Sequence, residues 1–157
     1  MEPNAYPAHV LRARRVDPAR FASDIAEDVA LAAFDAVAAM PAIPGWTRQS
    51  APFLAWRYLR ECVAYIPELG HQYVRMPWRT MADGRADCKS QSVFVAGMCG
   101  PAGCSVALRF VMLPDAVHLG HVYAVVDGVP VDPLLPYGHE VVSVAAVTVH
   151  VCDGAAD

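Results

Sequence analysis

His121-Val122-Tyr123-Ala124-Val125-Val126-Asp127-Gly128-Val129-Pro130-Val131-Asp132 places two runs of strand-forming residues around an Asp-Gly pair. Asp-Gly between β-branched runs is the strongest short-range hairpin signal, because both central residues of the tight turn need positive φ. If Asp127 and Gly128 are the whole turn, Val126 faces Val129, Ala124 faces Val131 and Tyr123 faces Asp132. Opposed residues share a face of the sheet, and so do residues two apart on one strand. His121 and Asp132 then become diagonal neighbours, roughly 7–8 Å apart before their side chains reach inward. That spacing lets a carboxylate grip one imidazole nitrogen while the other faces a nucleophile. A four-residue loop keeps this parity, whereas a three-residue loop with a bulge breaks it.

Outward from the hairpin, Ser105 to Leu113 suits a strand with Val106, Leu108, Phe110 and Met112 on one side. Glu140 to Val151 is rich in β-branched residues, and its continuous apolar character predicts a last strand buried on both faces. The first half reads as helical. Asp17-Pro18 is a helix start, a capping carboxylate followed by proline. From there Phe21, Ile25, Val29, Ala32, Ala36 and Met40 form a core stripe, flanked by the solvated Asp24, Asp28 and Asp35. Pro41 and Pro44-Gly45 stop that helix. A second is expected from about Pro52 to Ile66, with Phe53, Trp56, Leu59, Val63 and Ile66 on one face and Pro67 as its end. Glu68 to Gly84 reads as a long connection, of the kind that often carries function. Asp87 to Met98 predicts a third helix, ended by Gly100-Pro101. Helices followed by strands give an α+β order. Residues 1–157 suit one domain, helical over 17–99 and strand-rich over 104–152.

A hydrophobic fraction of 55% with 18% charged residues excludes a disordered chain, and a net charge of −4 gives no footprint for nucleic acid. Arg12, Arg14 and Arg15 read as a solvated start to the first helix. No segment reaches the roughly 18 uninterrupted apolar residues that span a bilayer. Met1-Glu2-Pro3-Asn4 lacks the basic-then-apolar order of a secretion signal. The expectation is a cytoplasmic protein that engages neither nucleic acid nor membrane.

Five cysteines, an odd number with no C-x-x-C pair, argue against a disulfide framework or structural zinc. Cys62, Cys99, Cys104 and Cys152 lie in apolar surroundings and read as small core hydrophobes. Cys88 differs, because it lies where a loop becomes a helix. Unpaired N–H groups and the positive end of the helix dipole favour an anion there, and they raise the share of reactive thiolate. The same amides can stabilise an oxyanion on an acyl substrate. Among the histidines, His118 lies in the Pro114–Gly120 loop, where no strand fixes its direction. His118-x-x-His121 is a metal pair only if a third ligand exists, and none is clear. His71, His139 and His150 have no visible partner and read as surface or core residues. No metal or cofactor is expected.

The run Asp83-Gly84-Arg85-Ala86-Asp87-Cys88-Lys89-Ser90 resembles the Gly-Asp-Cys motif that opens the nucleophile helix of transglutaminase-like proteins. His121-Val122-Tyr123 and Val131-Asp132-Pro133 look like that family's His-Val and Asp-Pro motifs. Tyr73-Val74-Arg75-Met76-Pro77 is similar to a segment before the cysteine in small phage and prophage members. Residues 62–135 are covered, about half the chain.

The resemblance implies a papain-related α+β core, with N-terminal helices and the nucleophile helix packed on an antiparallel sheet. Cys88 would be the nucleophile, His121 the general base and acid, and Asp132 its orienting partner. The chemistry would be acyl transfer from a peptide or protein amide through a thioester, with water or an amine as acceptor. Ala86 stands where the family has glycine, and Lys89-Ser90 replaces acidic residues. Lys89 either lowers the Cys88 pKa further or, as exposed lysines usually are, is simply solvated. The chain is too short for the further domains of animal transglutaminases, which sets cross-linking and calcium control aside. Trp56 and Trp78 either pack in the core or offer an indole N–H to the oxyanion. Specificity is expected from the Glu68–Gly84 and Pro114–Gly120 segments. Some family members have lost catalysis, so the alternative is a non-catalytic phage or mobile-element protein, virion-associated, that keeps the fold for binding or assembly.

Overall fold

The computed structural model describes residues 14–15, 21–67, 71–114 and 120–155. In chain order the elements are β1 (Arg14–Arg15), α1 (Phe21–Ala39), α2 (Ala51–Cys62), β2 (Ala64–Tyr65), β3 (His71–Gln72), α3 (Pro77–Asp83), β4 (Arg85–Ala86), α4 (Cys88–Cys99), β5 (Val106–Met112), β6 (His121–Val126), β7 (Val129–Val131) and β8 (Ala145–Cys152). The architecture is mixed α+β. Four strands form an antiparallel sheet in the order β7-β6-β5-β8. Two-residue ladders join β1 to β3 antiparallel and β2 to β4 parallel.

The organising element is α4. Its second half, Val93-Phe94-Val95-Ala96-Gly97-Met98, has no polar face, and a helical segment apolar all round belongs inside. Every residue from Lys89 to Cys99 is buried, enclosed by α1, α2, α3 and β6. Small residues make the α1 crossing close: Val29, Ala32, Ala33 and Ala36 are buried along it. A Cβ at Gly97 would stand 2.6 Å from Pro77 Cγ and 3.1 Å from Ala36 Cβ. One at Gly100 would stand 2.8 Å from Val37 Cγ2. The expected stripe on α1 thus holds at Val29, Ala32 and Ala36, with Met40 packed at its end. Asp28 and Asp35 are half-buried. The Asp17-Pro18 start and the side chains of Phe21, Asp24 and Ile25 lie outside the described residues.

Three helical expectations are corrected. First, α2 ends at Cys62 rather than Ile66. Val63 is extended, with φ −123° and ψ 120°, and Ala64–Tyr65 pair with β4. Ala64 N–H donates to Gly84 O (2.9 Å) and Ile66 N–H to Ala86 O (3.0 Å), bonds a continued helix cannot make. The buried face of α2 is Ala51, Pro52, Ala55 and Leu59, while Phe53 and Ile66 are exposed. Second, the Glu68–Gly84 connection contains α3. Pro77 supplies the preset φ of a first helical turn, and Gly84 closes the helix at φ 63°, its N–H on Thr80 O. Third, Arg14–Arg15 do not begin a helix, because their backbone pairs with Gln72 and His71.

The hairpin takes the expected register, Val126 opposite Val129 and Ala124 opposite Val131. Asp127 and Gly128 both have positive φ (47° and 79°), as this two-residue turn requires. The Asp127 carboxylate is gripped by Arg48 at 3.0 and 3.1 Å and accepts the Ser105 N–H at 3.0 Å. Val106, Leu108 and Phe110 on β5 join Val122, Ala124 and Val126 on β6 in the core, with Met112 half-buried. The last strand departs from expectation. It begins at Ala145, not Glu140, and among the described residues it is a sheet edge. Ala145 to Thr148 are exposed and only Val151 is fully buried, so its apolar run does not mark a central strand. All five cysteines are free, and Cys62 is exposed rather than packed in the core. Among the described residues, no helix is long and apolar enough to cross a membrane.

The α1–α4 crossing gives a stability test. Gly97→Val drives methyl groups into the Pro77 ring and Ala36, neither of which can swing aside. The expected cost is about 1–3 kcal/mol, read as a lower urea midpoint at unchanged slope.

Candidate active site

Cys88 is the first residue of α4 and is half-buried. Asp87, before it, is extended, and its carboxylate caps the helix. Oδ1 accepts the N–H groups of Lys89 (3.1 Å) and Ser90 (3.3 Å). Lys89 is buried instead of solvated, with its ammonium on Asp87 Oδ2. The amides of Lys89 and Ser90, expected to serve an oxyanion, are therefore spent on the cap, which does not engage the Cys88 amide. The Ser92 hydroxyl lies 2.7 Å from Cys88 O and 3.2 Å from Val122 O. It ties the first turn of α4 to the strand that carries His121. The 73–77 segment packs against the same turn, Arg75 N–H donating to Ser90 Oγ (2.9 Å) and its guanidinium pairing with Asp83 (3.0 Å).

Across from Cys88, His121 Nε2 lies 2.6 Å from Asp132 Oδ2, both side chains being buried. The diagonal placement derived from the turn is thus realised. Asp132 Oδ1 accepts the Leu134 N–H at 3.0 Å, so both carboxylate oxygens are held. The chain beyond Asp132 is clamped by α2. Arg60 donates to Pro133 O (3.0 Å) and Leu135 O (3.3 Å), and the Trp56 indole N–H donates to Leu135 O (2.9 Å). Trp56 is thereby committed to the backbone and is not an oxyanion donor. Trp78, half-buried in α3, packs against the core.

Burial is the largest influence on the His121 imidazole and pushes its pKa down. Hydrogen bonding to Asp132 and to Cys88, with the charges of both, outweighs it and carries the value to about 9. Since Nε2 is on Asp132, Nδ1 is the nitrogen left for another partner. Tyr123 stands beside the imidazole, ring centroids 5.9 Å apart, and donates to Glu140 at 2.5 Å. Arg109 pairs with the same carboxylate. A thiol, an imidazole and a carboxylate in series are the groups that nucleophilic acyl transfer uses.

No family model matches the chain, and no curated protein or solved structure matches it. Function is therefore read from the residues around Cys88 themselves.

Of the other histidines, His118 and the His71 side chain lie outside the described residues. His139 is exposed, and His150 is exposed with Asp153 at 3.0 Å. Sequence reasoning missed Tyr65. Its hydroxyl lies close enough to Cys88, Asp87 and Asp132 to feel their charges. Burial first, then those neighbours, push the phenol well above its usual pKa, so it stays a donor. The only advance signal was an aromatic residue just before Pro67, which the expected helix absorbed. Ser92 was equally hidden inside an apolar helix.

Because the folded pKa of His121 lies above 6.5, its pairing adds stability that is complete below about pH 6.5 and lost as pH rises through about 9. NMR titration of the His121 ring should give a midpoint near 9 in the wild type. Asp132→Asn should bring it down to 6.5 or below, since burial then acts with weaker opposition.

Proposed function

We propose that the chain is a cysteine-dependent acyl-transfer hydrolase of the transglutaminase-like, papain-related kind, acting on a peptide or protein amide. The observation that carries this reading is the 2.6 Å His121–Asp132 bond, on an imidazole close enough to Cys88 for the sulfur to help raise its pKa. Three further features support it. The nucleophile opens a buried helix, the carboxylate is fixed through both oxygens, and the chain after it is clamped from α2.

In the proposed reaction the Cys88 proton is held by His121, so the sulfur attacks the substrate carbonyl carbon as its conjugate base, and the carbonyl π pair moves onto oxygen. The intermediate collapses by re-forming the carbonyl and breaking the C–N bond. His121, protonated at neutral pH through its raised pKa, gives its proton to the departing nitrogen. Asp132 orients the ring throughout and stabilises its charge whenever it is protonated. Water then attacks the thioester, His121 takes its proton, and the acid leaves as the C–S bond breaks. An amine in place of water gives transamidation by the same steps.

Iodoacetamide should alkylate Cys88 ahead of the other four cysteines at neutral pH, and His121→Ala should slow this at least about tenfold by removing the group that accepts its proton. Peptide mapping of the alkylated protein assigns the site. Slow alkylation indifferent to His121→Ala would sink the catalytic reading. It would leave a non-catalytic phage or mobile-element protein on this fold.

A further inference from the structure

Tyr65 stands beside Cys88 without a part in the thiol–imidazole–carboxylate series. Its position is not incidental. Tyr65 pairs with Ala86 in the parallel β2–β4 ladder, two residues ahead of the nucleophile. The flanking bonds Ala64 N–H to Gly84 O (2.9 Å) and Ile66 N–H to Ala86 O (3.0 Å) fix the backbone on both sides of it. That pairing sets the side chain beside the start of α4, within electrostatic reach of Cys88, Asp87 and Asp132. It remains 37% exposed, so a substrate can reach it.

Acyl chemistry at Cys88 needs donors for the negative oxygen of the tetrahedral intermediate, and the usual supply is short here. The Asp87 cap consumes the Lys89 and Ser90 amides, the Lys89 ammonium is on Asp87, and the Trp56 indole is on Leu135 O. The Cys88 amide is one donor that the cap leaves over, and a second is required beside the sulfur. We propose that the Tyr65 hydroxyl is that second donor, completing an oxyanion hole with the Cys88 amide. As the C–S bond forms and the carbonyl pair moves to oxygen, the hydroxyl donates a hydrogen bond to the oxyanion while the proton stays on the phenol. The bond is released when the carbonyl re-forms and the leaving group departs. Tyr65 is thus a catalytic residue supplied by a separate segment of chain, and the inference rests on the hydrolase reading.

Two reagents separate its role from that of the thiol. Alkylation by iodoacetamide displaces iodide at a saturated carbon and forms no oxyanion. Acylation by p-nitrophenyl acetate passes through one and releases p-nitrophenolate in a burst. Tyr65→Phe, which keeps the ring and is checked by its thermal midpoint, should leave the alkylation rate within about twofold. It should slow the burst by about 10²-fold or more. An unchanged burst overturns the inference and leaves the hydrolase reading standing. Equal slowing of both reactions also overturns it, because Tyr65 then acts on the thiol. A wild type that gives no burst overturns the hydrolase reading, and this inference with it.

Discussion

A helix buried on every side must satisfy its own first-turn amides without water, and α4 does so with the Asp87 carboxylate. That carboxylate is itself buried, and leaving it unpaired would cost several kcal/mol. Lys89 folds back to neutralise it, so a cation that sequence placed in solvent sits inside. The position of Cys88 follows from this arrangement. It is the residue between cap and paired lysine, carried at the rim of a helix that can neither shift nor fray. The Ser92 hydroxyl and the Arg75 amide then secure the same turn from the sheet and from the segment before α3.

The opposite wall is fixed by different means. A two-residue turn pinned by Arg48 sets the phase of β6 and β7, and α2 grips the chain that leaves β7 through Arg60 and Trp56. His121 and Asp132 therefore meet through backbone geometry, and their bond does not have to create the alignment. The imidazole is held by a carboxylate whose second oxygen is already on a backbone amide. The protonated ring is thereby held in place and its charge is offset by Asp132.

What the sequence made legible was local. The Asp-Gly turn dictates its own register, and everything on the two strands follows by parity. The limits of α4 were legible because Asp87 caps one end and Gly100-Pro101 stops the other. What was hidden depends on partners distant in sequence. Pro67 looked like the end of α2, yet the helix yields at Val63 because β4 offers Ala64 and Ile66 better hydrogen bonds. Glu140 to Val151 has the composition of a central strand, and composition carries no record of whether a second neighbour exists. Lys89 follows the same logic, since lysine is seldom buried and only the cap explains it. Tyr65 was obscured twice, once by a helix assigned across it and once because its target lies on another element.

Because α4 packs against helices made before it and strands made after it, its reactive end is assembled late. A ribosome that has released residues through Cys99 has produced the thiol and its cap but neither His121 nor Asp132. Their hairpin is closed locally and quickly by its own turn, yet it meets the thiol only by docking against the finished helical layer. Every nascent or truncated chain that stops short of Asp132 therefore carries Cys88 without the His121–Asp132 pair. The three meet only when both halves of the fold have closed on the same helix.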